Sequence, residues 1–156
     1  MTPQPTLAPR PLAERRDVAA QRLATYHRLW LATGRDGHGA HLIPVSFVWT
    51  GEHLVMATFE RSRTMANLRA HPRSRAAIGD TDDVVTVDGD VAIVDVAEVD
   101  PATAGRYAQV SHDPRRMPGF LYLYLRPDRV QVWNGFHEFG GRTVMLDGSW
   151  LDEPVD

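Results

Sequence analysis

Three features of the sequence predict a mainly β fold of the α+β type, an antiparallel barrel of about six to eight strands with a few appended helices. Short apolar segments recur from residue 27 to the C-terminus. Turn signals rich in Gly, Pro and Asp separate them, which marks hairpins more than parallel crossovers. Within the run of strands lies one long crossover, the helix-like stretch 62–71, so closure into an antiparallel barrel fits better than a helix-wound sheet.

The elements follow in order. Residues 1–11 are proline-rich and lack an apolar run, so they are expected to be a flexible tail and not a secretory signal. LAERRDVAAQRLATYH, 12–27, is rich in helix formers and opens after Pro11, where an N-terminal proline is tolerated. HRLWLATG is the first strand, RDGHGA a turn, and HLIPVSFVW the second strand. Pro44 in that strand signals an edge or a bulge. TGEH turns into a third strand, LVMATF, 54–59. Ser62 can cap a helix that runs to about His71, and Pro72 stops it. SRAAIGDT is a fourth strand. DVVTVDGDVAIVDVAEV alternates strongly around Asp88-Gly89, which predicts a hairpin. PATAGRYAQ is a short helix opening at Pro101, and HDPRRMPG, 112–119, is a loop. FLYLYLRPDRVQVWNG is expected to turn at Pro127-Asp128, and RTVMLDGSWL at Asp147-Gly148.

The 156 residues suit one domain, expected over 12–156, with 43% apolar and 24% charged residues, ordinary for a globular chain. No stretch approaches the ~20 apolar residues of a membrane span, and a cytoplasmic location is expected. There is no cysteine, which excludes disulfides, thiol nucleophiles and cysteine-bound metal. There is also no lysine, and all 17 basic residues are arginine. Schiff-base chemistry and a P-loop lysine are therefore excluded. Every anion contact must come from Arg, hydroxyls or backbone N–H groups. A net charge of −3 argues against general nucleic-acid binding.

TFERSRTMANLRAHPR, 58–73, places Arg61, Arg63, Arg69 and Arg73 around one strand-to-helix junction. A helix N-terminus offers unpaired N–H groups and a partial positive charge, and arginine adds bidentate geometry for phosphate. Cations at a helix start are unfavourable by a few tenths of a kcal/mol without an anion. The junction is read as an anion site, against the alternative of arginines that point to water or pair with Glu60. His38 and His41 are too few for a zinc site. Ser111-His112-Asp113 is read as a loop cap, because adjacent residues do not make triad geometry. The acidic stretch GDTDD, 79–83, is read as a solvated loop.

Four segments together resemble the pyridoxamine 5′-phosphate oxidase-like, flavin-binding split β-barrel family, which includes deazaflavin (F420)-dependent reductases. They are WLATGRDGHGAHLIPVSFVW, ATFERSRTMANLRAHPR, VDGDVAIV and RPDRVQVWNGFHEFGGR, in order from residue 27 to about 150. The resemblance implies a split barrel and a homodimer with two cofactor sites at the subunit interface. It implies an FMN or F420 phosphate on Arg63 and Thr64 with Arg61 and Ser62 beside them. It sets the ring edge along Val45, Ser46 and Phe47 and near Ala57 and Thr58. Trp133 and Arg142 would reach in from the second subunit. Thr64 stands where many members carry a lysine, which removes one cation.

The function expected is an oxidoreductase that uses bound FMN or F420 to pass a hydride to or from a small conjugated substrate. The loop 112–119 and the partner subunit would select that substrate. No general acid or base is singled out by the sequence. The alternatives are a non-catalytic carrier of a flavin or another planar ligand, and a barrel dimer that has lost its cofactor. FLYLYL, 120–125, looks too apolar for a lone barrel to cover, which also favours a homodimer.

Overall fold

The computed structural model describes residues 7–155. Helix α1, Leu12–Thr25, is followed by β1 (Arg28–Arg35), β2 (His38–Ser46), β3 (Val48–Trp49) and β4 (Leu54–Phe59). Helix α2, Arg63–Ala70, crosses to β5 (Arg73–Asp80) and β6 (Asp83–Val94). Helix α3, Pro101–Val110, precedes the long β7 (Phe120–Asn134), then β8 (Thr143–Leu146) and β9 (Ser149–Trp150). The strands form one antiparallel sheet in the order β2-β1-β5-β6-β7-β4-β3, with β8 and β9 added beside β7.

The two ends of that strand order, β2 and β3, are separated in sequence by Phe47 alone. The sheet must therefore curl until its first and last strands meet, which makes the barrel. Phe47 is fully buried and donates its N–H to the His27 carbonyl at 3.1 Å. The expected single strand 41–49 is thus broken at Phe47, because the chain turns there from one edge of the sheet to the other. Pro44 lies on the edge strand β2, where its missing N–H removes no ladder bond.

Two expected hairpins are instead continuous strands. Residues 83–94 and 120–134 run straight through Asp88-Gly89 and Pro127-Asp128 and pair with each other. Gly89 lies opposite Pro127 and Asp88 opposite Arg129, so Asp128 is the extra residue of a bulge. The glycine serves close approach and not a turn: a Cβ at Gly89 would lie 1.9 Å from the Arg126 carbonyl oxygen. Both turn-like dipeptides mark one shared bend. Asp147-Gly148 is a true hairpin turn, with φ of 51° and 76°, as a type I′ turn requires.

The barrel interior is filled by Leu29, Leu31, Met56, Ile78, Val85, Leu123 and Leu125, and α1 and α2 close it with Leu23, Met65 and Leu68. A second cluster lies outside the barrel wall, where α3 covers Val55, Ala57 and Tyr122 with Ala104 and Tyr107. FLYLYL is therefore largely covered by its own chain. Leu123 and Leu125 fill the barrel, and Tyr122 is buried beneath α3. Exposed apolar side chains lie instead on β1 and β2, where Trp30 is 51% and Leu42 59% exposed and Pro44 pairs with Trp30, and after β7 at Phe136 and Phe139.

A candidate anion and cofactor site at the β4–α2 junction

Strand β4 delivers the chain to α2 through a three-residue turn closed by Ser62 N–H to the Phe59 carbonyl, 2.9 Å. Ser62 is the N-cap, and its Oγ accepts from Met65 N–H at 3.1 Å. The Thr58 hydroxyl in turn donates to Ser62 Oγ at 3.2 Å. The loop before β7 is stitched to the same turn by Glu60 N–H to the Gly119 carbonyl, 2.7 Å. Gly119 has φ of 87°, and a Cβ there would lie 2.6 Å from the Phe59 ring.

Capping by Ser62 uses the Met65 donor, and the N–H groups of Arg63 and Thr64, at the first two helical positions, have no intrahelical partner. Around them stand two cations with no carboxylate partner among the described residues. Arg61 is exposed, and Arg63 is exposed with one bond, Nη2 to the Gly39 carbonyl at 2.9 Å. Arg69 is turned back along the helix to the Glu60 carbonyl at 3.2 Å. Arg73 pairs with Asp128 and Asp90, beyond the far end of the helix. Thr64 is 1% exposed, and its Oγ1 is a buried polar atom without a hydrogen-bond partner. Two free cations and two free N–H donors fit a phosphate, which carries roughly −1.5 to −2 charges.

The remaining sequence candidates divide into two groups. Val45 and Ser46 end β2, and Ser46 Oγ accepts from Arg28 Nη1 at 2.6 Å. Phe47 is buried in the barrel core and Ala57 under α3, so each can offer a ligand backbone atoms only. Beside them, β4 is paired with β7 along Leu54–Phe59, but with β3 only at Leu54 and Val55. Thr58 therefore lies on a stretch of strand with one side outside the ladder.

Trp133 and Arg142 form the other group. The Arg142 guanidinium lies 5.9 Å from the Trp133 ring centroid and 4.0 Å from that of Phe139, and its Nη1 donates to the Phe139 carbonyl at 2.6 Å. Trp133 sits at the opposite end of β7 from Leu121, which pairs with Thr58. A 15-residue strand runs on the order of 40 Å end to end, allowing for its bend. The two groups occupy opposite ends of one strand.

Sequence reasoning missed a charge network at the Trp133 end. Arg10 donates through its backbone N–H, Nε and Nη2 to Glu138 at 2.9, 2.7 and 2.7 Å. Arg10 and Arg22 both pair with Asp83, at 2.8 and 2.7 Å. Asp83, expected in a solvated loop, is an anchor. Glu138 is fully buried. Burial raises its pKa, but bonds from the Arg10 side chain and from the N–H groups of Arg10 and Asn134 outweigh that and hold it at about 2. The only sequence signal was a glutamate beside apolar Phe136 and Phe139. Residues 1–6 of the expected tail lie outside the described residues. Ser111-His112-Asp113 is a loop cap: Asp113 accepts from Arg115 N–H at 3.1 Å and pairs with the Arg115 side chain.

A cleft of about 920 Å³ lies toward the other end of α2, between Thr33–Asp36, His71 and Arg73–Arg75. Two of its arginines are already neutralised, Arg73 as above and Arg75 by Asp88 at 2.6 Å. Arg35 in the cleft also has no carboxylate partner among the described residues. What sets the junction apart is that unpaired cations and the free N–H donors of a helix N-terminus stand together there.

The family model for pyridoxamine 5′-phosphate oxidase matches residues 16–134. The chain belongs to the pyridoxamine 5′-phosphate oxidase family. Solved structures agree on the split-barrel fold. A putative pyridoxamine 5′-phosphate oxidase from Listeria innocua is 17% identical with a TM-score of 0.62, over 76% of this chain and 98% of that one. An F420 reductase is 20% identical with a TM-score of 0.57, over 70% and 93%. A heme binding protein from Mycobacterium smegmatis is 19% identical with a TM-score of 0.65, over 91% of this chain and 60% of that one. No curated protein matches the sequence. No helix among the described residues is long and apolar enough to cross a membrane.

Proposed function

We propose that this member of the family binds FMN or F420 and acts as an oxidoreductase on a small conjugated substrate. The observation that carries the reading is the pair Arg61 and Arg63, left without carboxylate partners at a capped helix N-terminus. Arg61, Arg63 and the N–H groups of Arg63 and Thr64 would hold the phosphate. Backbone atoms of Val45–Phe47 and Ala57–Thr58 would border the ring. The bound cofactor supplies the hydride chemistry, while this chain binds it, orients it and excludes water from its reacting face. A homodimer would complete this reading in two ways. It can bring the Trp133 and Arg142 end of one copy to the Arg63 end of another, and the exposed Trp30, Leu42 and Pro44 face offers apolar surface for pairing.

One observation favours the two alternatives, a carrier of a flavin or another planar ligand and a barrel dimer that has lost its cofactor. Thr64 is buried and uncharged, so the phosphate is held by fewer cations than where a lysine stands. Enzyme and carrier differ in one measurement, whether a reduced bound cofactor is reoxidised faster when candidate acceptors are added.

Titrations with FMN and F420, followed by fluorescence, test the site. Arg63→Ala is expected to weaken binding by about 1.5–3 kcal/mol, roughly ten- to hundredfold. Arg69→Ala is the control and should change it little. Raising salt should weaken wild-type binding more than that of Arg63→Ala. If FMN is the natural ligand, Thr64→Lys is expected to tighten it, the longer side chain reaching out from the buried position to the junction. No tightening would mean that Arg61 already fills that role or that the phosphate lies elsewhere. Equal affinities for wild type and Arg63→Ala would return the junction to an arginine-rich face turned to water.

A further inference from the structure

The segment 134–142 combines two properties that rarely go together. Its backbone is tightly held, yet its large apolar side chains face outward. Phe136 is 96% and Phe139 52% exposed. The holding groups come from elsewhere in the chain. Arg10 takes both carboxylate oxygens of Glu138, and Arg15 Nη1 donates to the Glu138 and Gly140 carbonyls at 3.1 and 3.3 Å. Arg15 Nε also donates to the Arg10 carbonyl at 2.9 Å, which fixes the clamp itself. Glu138 Oε2 then accepts from Asn134 N–H at 2.7 Å, the residue next to Trp133. By contrast, the segment's own backbone bonds are long, 3.3 Å from Glu138 N–H to Gly135 and 3.2 Å from Phe139 N–H to Phe136.

We propose that Arg10 and Glu138 are positioning residues that fix the attitude of Trp133 and Arg142 for contact with the cofactor held by a second copy. The proposal rests on the functional reading above. Glu138 links both contacts. Its carboxylate bonds Asn134, beside Trp133, and its carbonyl is held by Arg15, one residue before the Phe139 ring on which Arg142 stacks. Exposed phenylalanines on an otherwise anchored segment fit a surface kept ready for a partner. A clamp that merely fastened α1 to the barrel would need neither the bond to Asn134 nor the outward phenylalanines.

The test uses the full chain labelled with 5-fluorotryptophan, the Trp133 resonance being assigned from Trp133→Phe. In the cofactor-free protein, Arg10→Ala and Glu138→Gln are expected to shift or split the Trp133 signal and leave those of Trp30, Trp49 and Trp150 in place. Affinity for FMN or F420 should fall roughly tenfold or more in each. The double variant should be no weaker than the worse single one, because the two residues act as one unit. Glu138→Gln, which keeps its volume and one acceptor oxygen, is read alone if Arg10→Ala fails to fold. An unmoved Trp133 signal overturns the proposal. So does a moved signal with wild-type affinity, provided Trp133→Ala weakens binding. If Trp133→Ala itself leaves affinity unchanged, the functional reading of Trp133 fails instead, and the fluorine signal alone judges the clamp.

Discussion

Arginine is treated in opposite ways at the two ends of β7. At the Phe120 end, Arg61 and Arg63 surround a helix N-terminus with no carboxylate among the described residues to meet them. At the Asn134 end, Arg10, Arg15 and Arg22 are all occupied by Glu138, Asp83 and backbone carbonyls. Residue type is the same, and so is the absence of lysine, yet one end leaves charge for a ligand and the other uses it to hold the chain. The difference follows from partners. A cation near a helix N-terminus is unfavourable until an anion arrives, whereas a buried carboxylate is unfavourable until a cation and N–H donors surround it. Composition cannot distinguish the two; only the neighbours do.

Stability measurements can break this contrast. Glu138→Ala removes Arg10's main partner, although Arg10 is part-exposed and keeps Asp83 at 2.8 Å, and is expected to cost about 2–3 kcal/mol. Arg61→Ala and Arg63→Ala should each change stability by no more than about 0.5 kcal/mol. Urea denaturation of the cofactor-free variants checks both ends in one experiment. Similar losses at the two ends would mean that the junction arginines are also structural.

Acid sharpens the same comparison with a smaller effect. The carboxyl of Glu138 is held at about 2 in the folded chain, against roughly 4.3 when unfolded. A depressed pKa gives stability that is present above the unfolded value and lost as pH falls toward the folded one. The wild type should therefore lose more stability between pH 7 and pH 3 than Glu138→Gln does. Urea midpoints at the two pH values report it, and equal losses would show that Glu138 is not the group that carries the difference. At the junction the helix cap should matter more than the two arginines and less than Glu138. Ser62→Ala removes the acceptor of Met65 N–H and should cost about 1 kcal/mol, read as a shift of the thermal midpoint.

Local chemistry made several elements legible without a structure. Ser62, Pro72 and the intervening residues specify α2, because a cap and a stop act within one turn. Asp147-Gly148 specifies its hairpin, because both residues accept positive φ. The cluster of arginines at 61–63 is likewise a local fact. Asp88-Gly89 misled because a glycine needed for space and a glycine needed for a turn look alike in sequence. Tertiary pairing made it a bulge, with Arg126 of another strand pressed against it.

The sequence by itself determined the strand-rich character of the chain, the caps and turns, the exclusion of lysine and cysteine chemistry, and a junction dense in positive charge. Tertiary structure alone decided which arginines are free. Asp83, Asp90, Asp128 and Glu138 lie far along the chain from most of the arginines they neutralise, and Arg10 meets Glu138 across 128 positions. Strand pairing sets Arg73 opposite Asp90, and docking of α1 and the segment before it on the barrel brings Arg22 and Arg10 to Asp83 and Glu138. Coulomb attraction falls with distance and exposure, so a charge's role is fixed by what the fold places beside it.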